Sequence, residues 1–185
     1  VYPDTMRSLV LLAQHVRRFC KEHGTTLCVA ARRHPEVNAR LFEWEKAWFQ
    51  EHLGMSVEVV PNVRTEYTSY ALVDQSRVSL ALHTTLLHEG FGRGNRVLSC
   101  NFTGNPQYDF PVDGPWKLST ADYEVFEQRL LQLLNMSAED YARQVGAWPK
   151  YLVAYHPERP THRFLQQLIA EAIEGLPPRA QEWAL

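Results

Sequence analysis

A chain of 185 residues, 45% hydrophobic and 22% charged, has the size and make-up of one globular domain with a substantial core. Its formal net charge of −2 excludes a global attraction to nucleic acid or an anionic membrane, so any anion must be held by local arrangement. No apolar run is long enough to span a membrane. The three cysteines, Cys20, Cys28 and Cys100, form no CxxC pair and have no metal-ligand spacing. They read as small buried side chains in a reducing compartment.

Met6, Leu9, Val10, Ala13, Val16 and Cys20 recur at helical spacing and predict a first helix with one buried face, closed by Gly24. The run TTLCVAA predicts a buried strand that stops at Arg32-Arg33-His34-Pro35. Leu41, Trp44, Ala47, Trp48 and Leu53 mark a second helix ending at Gly54, with Trp44, Trp48 and Phe49 directed towards the sheet. SVEVVP is a strand, YTSYALVDQ a short helix, VSLALHT a strand, Thr85 to about Phe91 a helix, and RVLSCN a strand. After a loop from Asn105 to Pro115, Ser119 and Asp122 have capping-box spacing, and Tyr123, Phe126, Leu130 and Leu133 form the stripe of the helix behind them. Ser137 and Asp140 repeat that signal. A last helix is expected from about Thr161 to Glu174, with Phe164, Leu165, Leu168, Ile169 and Ala172 inward. Residues 175–185 read as a loose tail.

Short apolar strands alternating with helices predict an α/β domain over residues 1–174, doubly wound around a mostly parallel sheet. Ligands of such sheets sit beyond the carboxyl ends of the strands. Three of those ends carry polar groups. Arg32, Arg33 and His34 offer forked and single donors suited to phosphate oxygens, or a solvated basic turn. His83, Thr84 and Thr85 stand at a helix start, where free N–H groups and the helix dipole favour an anion, although one threonine is needed merely to cap the helix. Glu89 shares a helix face with Thr85, and its carboxylate suits the vicinal hydroxyls of a ribose or plain solvent exposure. His88 reads as a surface residue. The glycines at 90, 92 and 94 follow their helix instead of preceding it, which argues against a simple dinucleotide fingerprint.

The stretch YALVDQSRVSLALHTTLLHEGFGRGNRVLSCN resembles the nucleotide-sugar-binding, carboxyl-terminal domain of GT-B glycosyltransferases. CVAARRHPE is similar to a second element of surface-polysaccharide members, including Kdo transferases that use CMP-Kdo and related CDP-glycerol polymerases. The likeness spans roughly Arg7 to Glu174 and is carried by these two motifs. It implies a Rossmann-like half of a GT-B fold, with Thr84 and Thr85 at the donor phosphate, Arg32, Arg33 or His34 beside the phosphate or base, and Glu89 at the ribose; His83 is a further phosphate donor or fills space at the strand end. Related sequences usually carry a serine where this chain has Thr-Thr. Asn105, Tyr108 and Trp116, in the loop after LSCN, are further substrate-contact candidates.

The resemblance further implies a nucleotide sugar as substrate and a glycan acceptor held by a separate N-terminal domain. No catalytic residue is assigned within these residues. No metal or other cofactor is required, since cationic side chains and a helix dipole can stabilise a leaving phosphate. The chain opens on Val1 and reads as part of a longer polypeptide, inactive without its acceptor domain. Localisation is expected to be cytoplasmic, with membrane association through the parent protein, or alternatively the Golgi lumen. Two competing readings stay open: a non-catalytic nucleotide- or partner-binding α/β module, and half of a UDP-sugar epimerase-like enzyme.

Overall fold

The computed structural model describes residues 3–152 and 161–175. Helix α1 (Pro3–His23) buries Leu12, Ala13, Val16 and Phe19 and ends at Gly24, whose φ of 60° lets the chain leave the helix. Strand β1 (Cys28–Ala30) leads to α2 (Pro35–Leu53), which starts six residues before Leu41. The early start has a local cause. His34 caps the first turn, and Asn38, out of helical conformation at φ −154° and ψ 78°, caps the chain again by accepting a 3.0 Å bond from the Leu41 amide. The buried stripe of α2 is also not the expected one. Phe42 and Phe49, two turns apart, pack with Ala31 and Val59, while Trp44 is 60% exposed. Trp48 is half-buried and stacks on His52, one turn along the same helix. The tryptophans therefore mark a neighbouring face of the helix and not its core side.

As far as β4 the chain then alternates in the order the sequence predicts; the short strand at Lys117–Leu118 and the helix at Trp148–Leu152 are additions to it. Strand β2 (Glu58–Val60) leads to α3 (Thr68–Gln75), β3 (Ser79–Ala81) to α4 (Thr85–Gly92), and β4 (Val97–Cys100) to β5 (Lys117–Leu118). Helices α5 (Tyr123–Asn135), α6 (Ala138–Val145), α7 (Trp148–Leu152) and α8 (Thr161–Ile173) follow. Every strand pairing is parallel, giving an α/β fold of Rossmann-like character. The hydrogen bonds divide the strands into two sheets, β1-β2 and β3-β4-β5, where a single sheet was expected.

The main core surrounds β4, all four residues of which are buried. Phe91 of α4 and Phe126 and Leu133 of α5 pack there, together with Phe110, Val112 and Trp116 from the loop before β5. The expected stripe of α5 is buried throughout, but the helix begins later than its capping-box spacing suggested. Asp122, not Ser119, is the N-cap, accepting from the Val125 amide at 3.0 Å, while the Ser119 hydroxyl donates to Asp109. Ser137 does cap α6, accepting from the Asp140 amide while its hydroxyl donates to the Asp140 carboxylate. In α8 the expected inward residues Leu165 and Ile169 are exposed, at 51% and 59%. Ala172 is also exposed and Leu168 half-buried. The side chain of Phe164 and the tail from residue 176 lie outside the described residues.

Candidate functional site

The carboxyl ends of β1, β3 and β4 open onto one cavity of about 550 Å³. Arg32 from the first end, His83 and Thr84 from the second, and Asn101 and Thr103 from the third line its polar side, with Tyr108 beside them. Its other walls are mainly apolar side chains of α1, the strands and the facing parts of α2, α3 and α4. Arg33, His34, Thr85, Glu89, Asn105 and Trp116 do not line it.

Each expected residue has a definite environment. The amides of Arg32 and Arg33 donate to the two oxygens of Glu45, at 2.8 and 3.2 Å, so this carboxylate fixes the turn after β1. Among the described residues neither guanidinium has an ion-pair partner, so both remain available to an outside anion. His34 accepts from the Glu36 amide through Nδ1 at 3.3 Å and serves as the α2 cap, leaving Nε2 as its donor in the neutral ring. Thr84 caps α4 in the same manner, accepting from the Leu86 amide at 3.3 Å. Thr85 is the first residue of α4 and is exposed. His83 meets the Tyr108 ring edge to face with centroids 4.8 Å apart. Glu89 is held by the Tyr70 hydroxyl of α3, which donates to it at 2.5 Å, and that bond raises the Tyr70 phenol above its usual range. His88 is half-buried against Phe110, and burial lowers its imidazole from the ordinary value.

Asn105 is occupied in the loop, its side chain accepting from the Gln107 amide at 3.0 Å. Trp116 belongs to the core: its indole is 1% exposed, its Nε1 donates to Val112 O at 3.0 Å, and Phe91 and Tyr141 pack edge-on to it. The residue that organises this loop is Asn101, at the carboxyl end of β4 and 4% exposed. Its Nδ2 donates to Asn105 O at 2.9 Å and to Asp109 at 2.6 Å, and its Oδ1 accepts from the amide and hydroxyl of Thr103. These bonds leave no room for a glycan at the Asn101-Phe102-Thr103 triplet in the folded chain.

The family model described as "putative O-antigen biosynthesis protein" matches residues 1–168. The chain belongs to this family. No curated protein and no solved structure matches it. Membership of the O-antigen family supplies a setting in surface-polysaccharide biosynthesis, and in that setting the polar mouth at three strand ends is the natural candidate site. Among the described residues no helix is long and apolar enough to cross a membrane. Sequence reasoning missed Glu45, Tyr70 and Asn101 in this family member. Glu45 and Tyr70 reach the site from other helices, which no local spacing reveals. Asn101 was visible as a polar residue ending a strand, the position the strand-end rule singles out.

Proposed function

We propose that this chain is the donor-binding domain of a glycosyltransferase of O-antigen assembly, holding a nucleotide sugar, CMP-Kdo or a near relative, at the mouth shared by β1, β3 and β4. The observation that carries the reading is the convergence of Arg32, His83 and the Thr84-capped start of α4 on one opening, in a member of an O-antigen family. A diphosphate or monophosphate bridged between the Arg32 guanidinium and the start of α4, with its Thr85 amide and helix dipole, would meet both groups it needs. Arg33, His34 and Thr85 flank that position, and Glu89, steadied by Tyr70, would reach for the ribose. The acceptor glycan and the catalytic base belong to another domain on this reading. Cytidine is favoured over other bases by the GT-B resemblance of the two sequence motifs.

Calorimetric titration of the chain with CMP, CDP, UDP and GDP tests the reading. At least one nucleotide should bind, and Arg32→Ala should weaken it about 10- to 100-fold, the loss of a charge-assisted contact. Absence of heat with every nucleotide at millimolar concentration contradicts it, and unchanged affinity in Glu89→Ala removes the ribose assignment.

A further inference from the structure

The inner edges of the two sheets face each other across a gap. Among the described residues β1 pairs with β2 and β3 with β4, and no strand pairs with the opposite edge of either. The Ala31 amide bonds to Val60 O and the Ser79 amide to Arg96 O. Backbone groups alternate sides along a strand, so Ala30 and Leu80 turn their N–H and C=O groups away from these partners, into the gap. Deep to the polar mouth, that gap is the apolar part of the 550 Å³ cavity, walled by Val29 and Leu80 and closed by Leu9, Leu12 and Val16 of α1.

This is an unusual place for open space. In a parallel sheet covered by helices the middle strands are the most buried. Here β4 is buried at every residue, while β1, like β4 one strand in from an edge of the array, exposes Cys28 and Ala30, and β3 beside the gap is only half-buried. Backbone donors and acceptors bordering an apolar cavity carry a desolvation cost unless something bonds to them. A small ligand would leave them unpaired along the length of two strands, and ligands of these sheets sit beyond the strand ends, not between the strands. An extended peptide satisfies both edges at once.

We propose that the gap is the seat of a sixth parallel strand, apolar on both faces, supplied by polypeptide that enters α1 from its N-terminal side. The pattern of the fold selects that source. β1, β2 and β3 each hand on to a helix that returns the chain to a further parallel strand, and α1 is the crossover helix that lacks a strand before it among the described residues. A strand leading into α1 and returning through it to β1 completes a right-handed βαβ unit. The sheet order becomes β2-β1-new-β3-β4-β5, which in chain order is 3-2-1-4-5-6, the doubly wound arrangement that turns a topological switch point towards its ligand. The switch point falls between the new strand and β3, beside His83 and Thr84. That last consequence rests on the donor-site reading; insertion of the strand does not.

Amide hydrogen exchange at Ala30 and Leu80 tests the insertion. It compares the 185-residue chain with the natural polypeptide extended on the N-terminal side of Val1. Both amides should exchange rapidly in the shorter chain and about 100-fold or more slowly in the extended one, close to the amides of β4. Equal rapid exchange in both overturns the proposal. So does protection already present in the shorter chain, which would mean that β1 and β3 close directly on each other. A slowing that depends on protein concentration would assign the slot to a second copy and also overturn it. Leu80→Pro removes the gap-facing N–H and, equally in both polypeptides, the packing of the leucine side chain. It should lower the melting temperature of the extended polypeptide clearly more than that of the 185-residue chain, because proline is tolerated at a sheet edge and not inside a sheet. Equal lowering in both contradicts the proposal. Nucleotide titration of the extended polypeptide reports on the donor reading separately, since the exchange result does not depend on whether a nucleotide binds.

Discussion

At the scale of single residues, one substitution separates the observed cap at Thr84 from the phosphate contact proposed there. The threonine hydroxyl caps α4 by accepting from Leu86, a task aspartate performs equally well. A carboxylate in that place would repel a phosphate at the same helix start. Thr84→Asp should therefore hold the thermal midpoint within a few degrees while abolishing measurable nucleotide binding; retained binding would move the phosphate elsewhere. Asp109 offers a pH test. The hydrogen bond from Asn101, then that from Ser119 and the charge of Lys117, hold its carboxyl below the ordinary aspartate range. A depressed folded value stabilises the fold above the unfolded value of about 4, and that stability is lost as pH falls through the lower folded one. Urea midpoints measured at pH 5 and pH 3 should fall less in Asp109→Asn than in the natural sequence. Gly114 joins a positive φ of 156° to a close approach. A Cβ there would lie 2.5 Å from Trp116 Cε2 in the core, so Gly114→Ala should destabilise by about 2 kcal/mol or more through backbone strain and forced overpacking. A change below 0.5 kcal/mol in urea unfolding would mean that the indole shifts freely.

Elements carry their information mainly at their ends. The Ser137–Asp140 pair was legible as a capping signal and Ser137 does cap α6, so Ser137→Ala should cost about 1 kcal/mol in chemical denaturation without touching the mouth. The Ser119–Asp122 pair had the same spacing and does something else, because Asp109 across the loop takes the serine hydroxyl. Spacing reports what a local sequence can do, and a partner ten residues away decides the use. The same limit explains α2. Its tryptophans have helical periodicity, yet the face that meets Ala31 and Val59 belongs to Phe42 and Phe49, and only tertiary contact distinguishes the two. The apolar residues of α8 follow a buried-stripe pattern, although Leu165, Ile169 and Ile173 are exposed in the described structure. Strands β1 to β4 were located well, since short β-branched runs between helices have few alternatives, whereas β5, two residues long at Lys117–Leu118, carries no such run and was missed.

At the scale of the whole molecule the alternation of strand and helix was readable, and with it the parallel pairing and the edge on which to look for a site. The division into two sheets was not readable, because strand neighbours are set by topology and no residue encodes the gap. Site candidates were legible where they sit at strand ends, as Arg32, His83 and Thr84 do. The partners that hold such residues, Asp109 for Asn101 and Tyr70 for Glu89, needed the folded chain. The central claim is that a nucleoside phosphate is held at the mouth between β1 and α4. Its most direct test is mapping of amide chemical shifts during titration with CMP and CDP. The account predicts saturable shifts concentrated at Arg32, His83 and the first turn of α4, Thr85 to Leu87. Shifts confined to other surfaces, or none at saturating nucleotide, would contradict it.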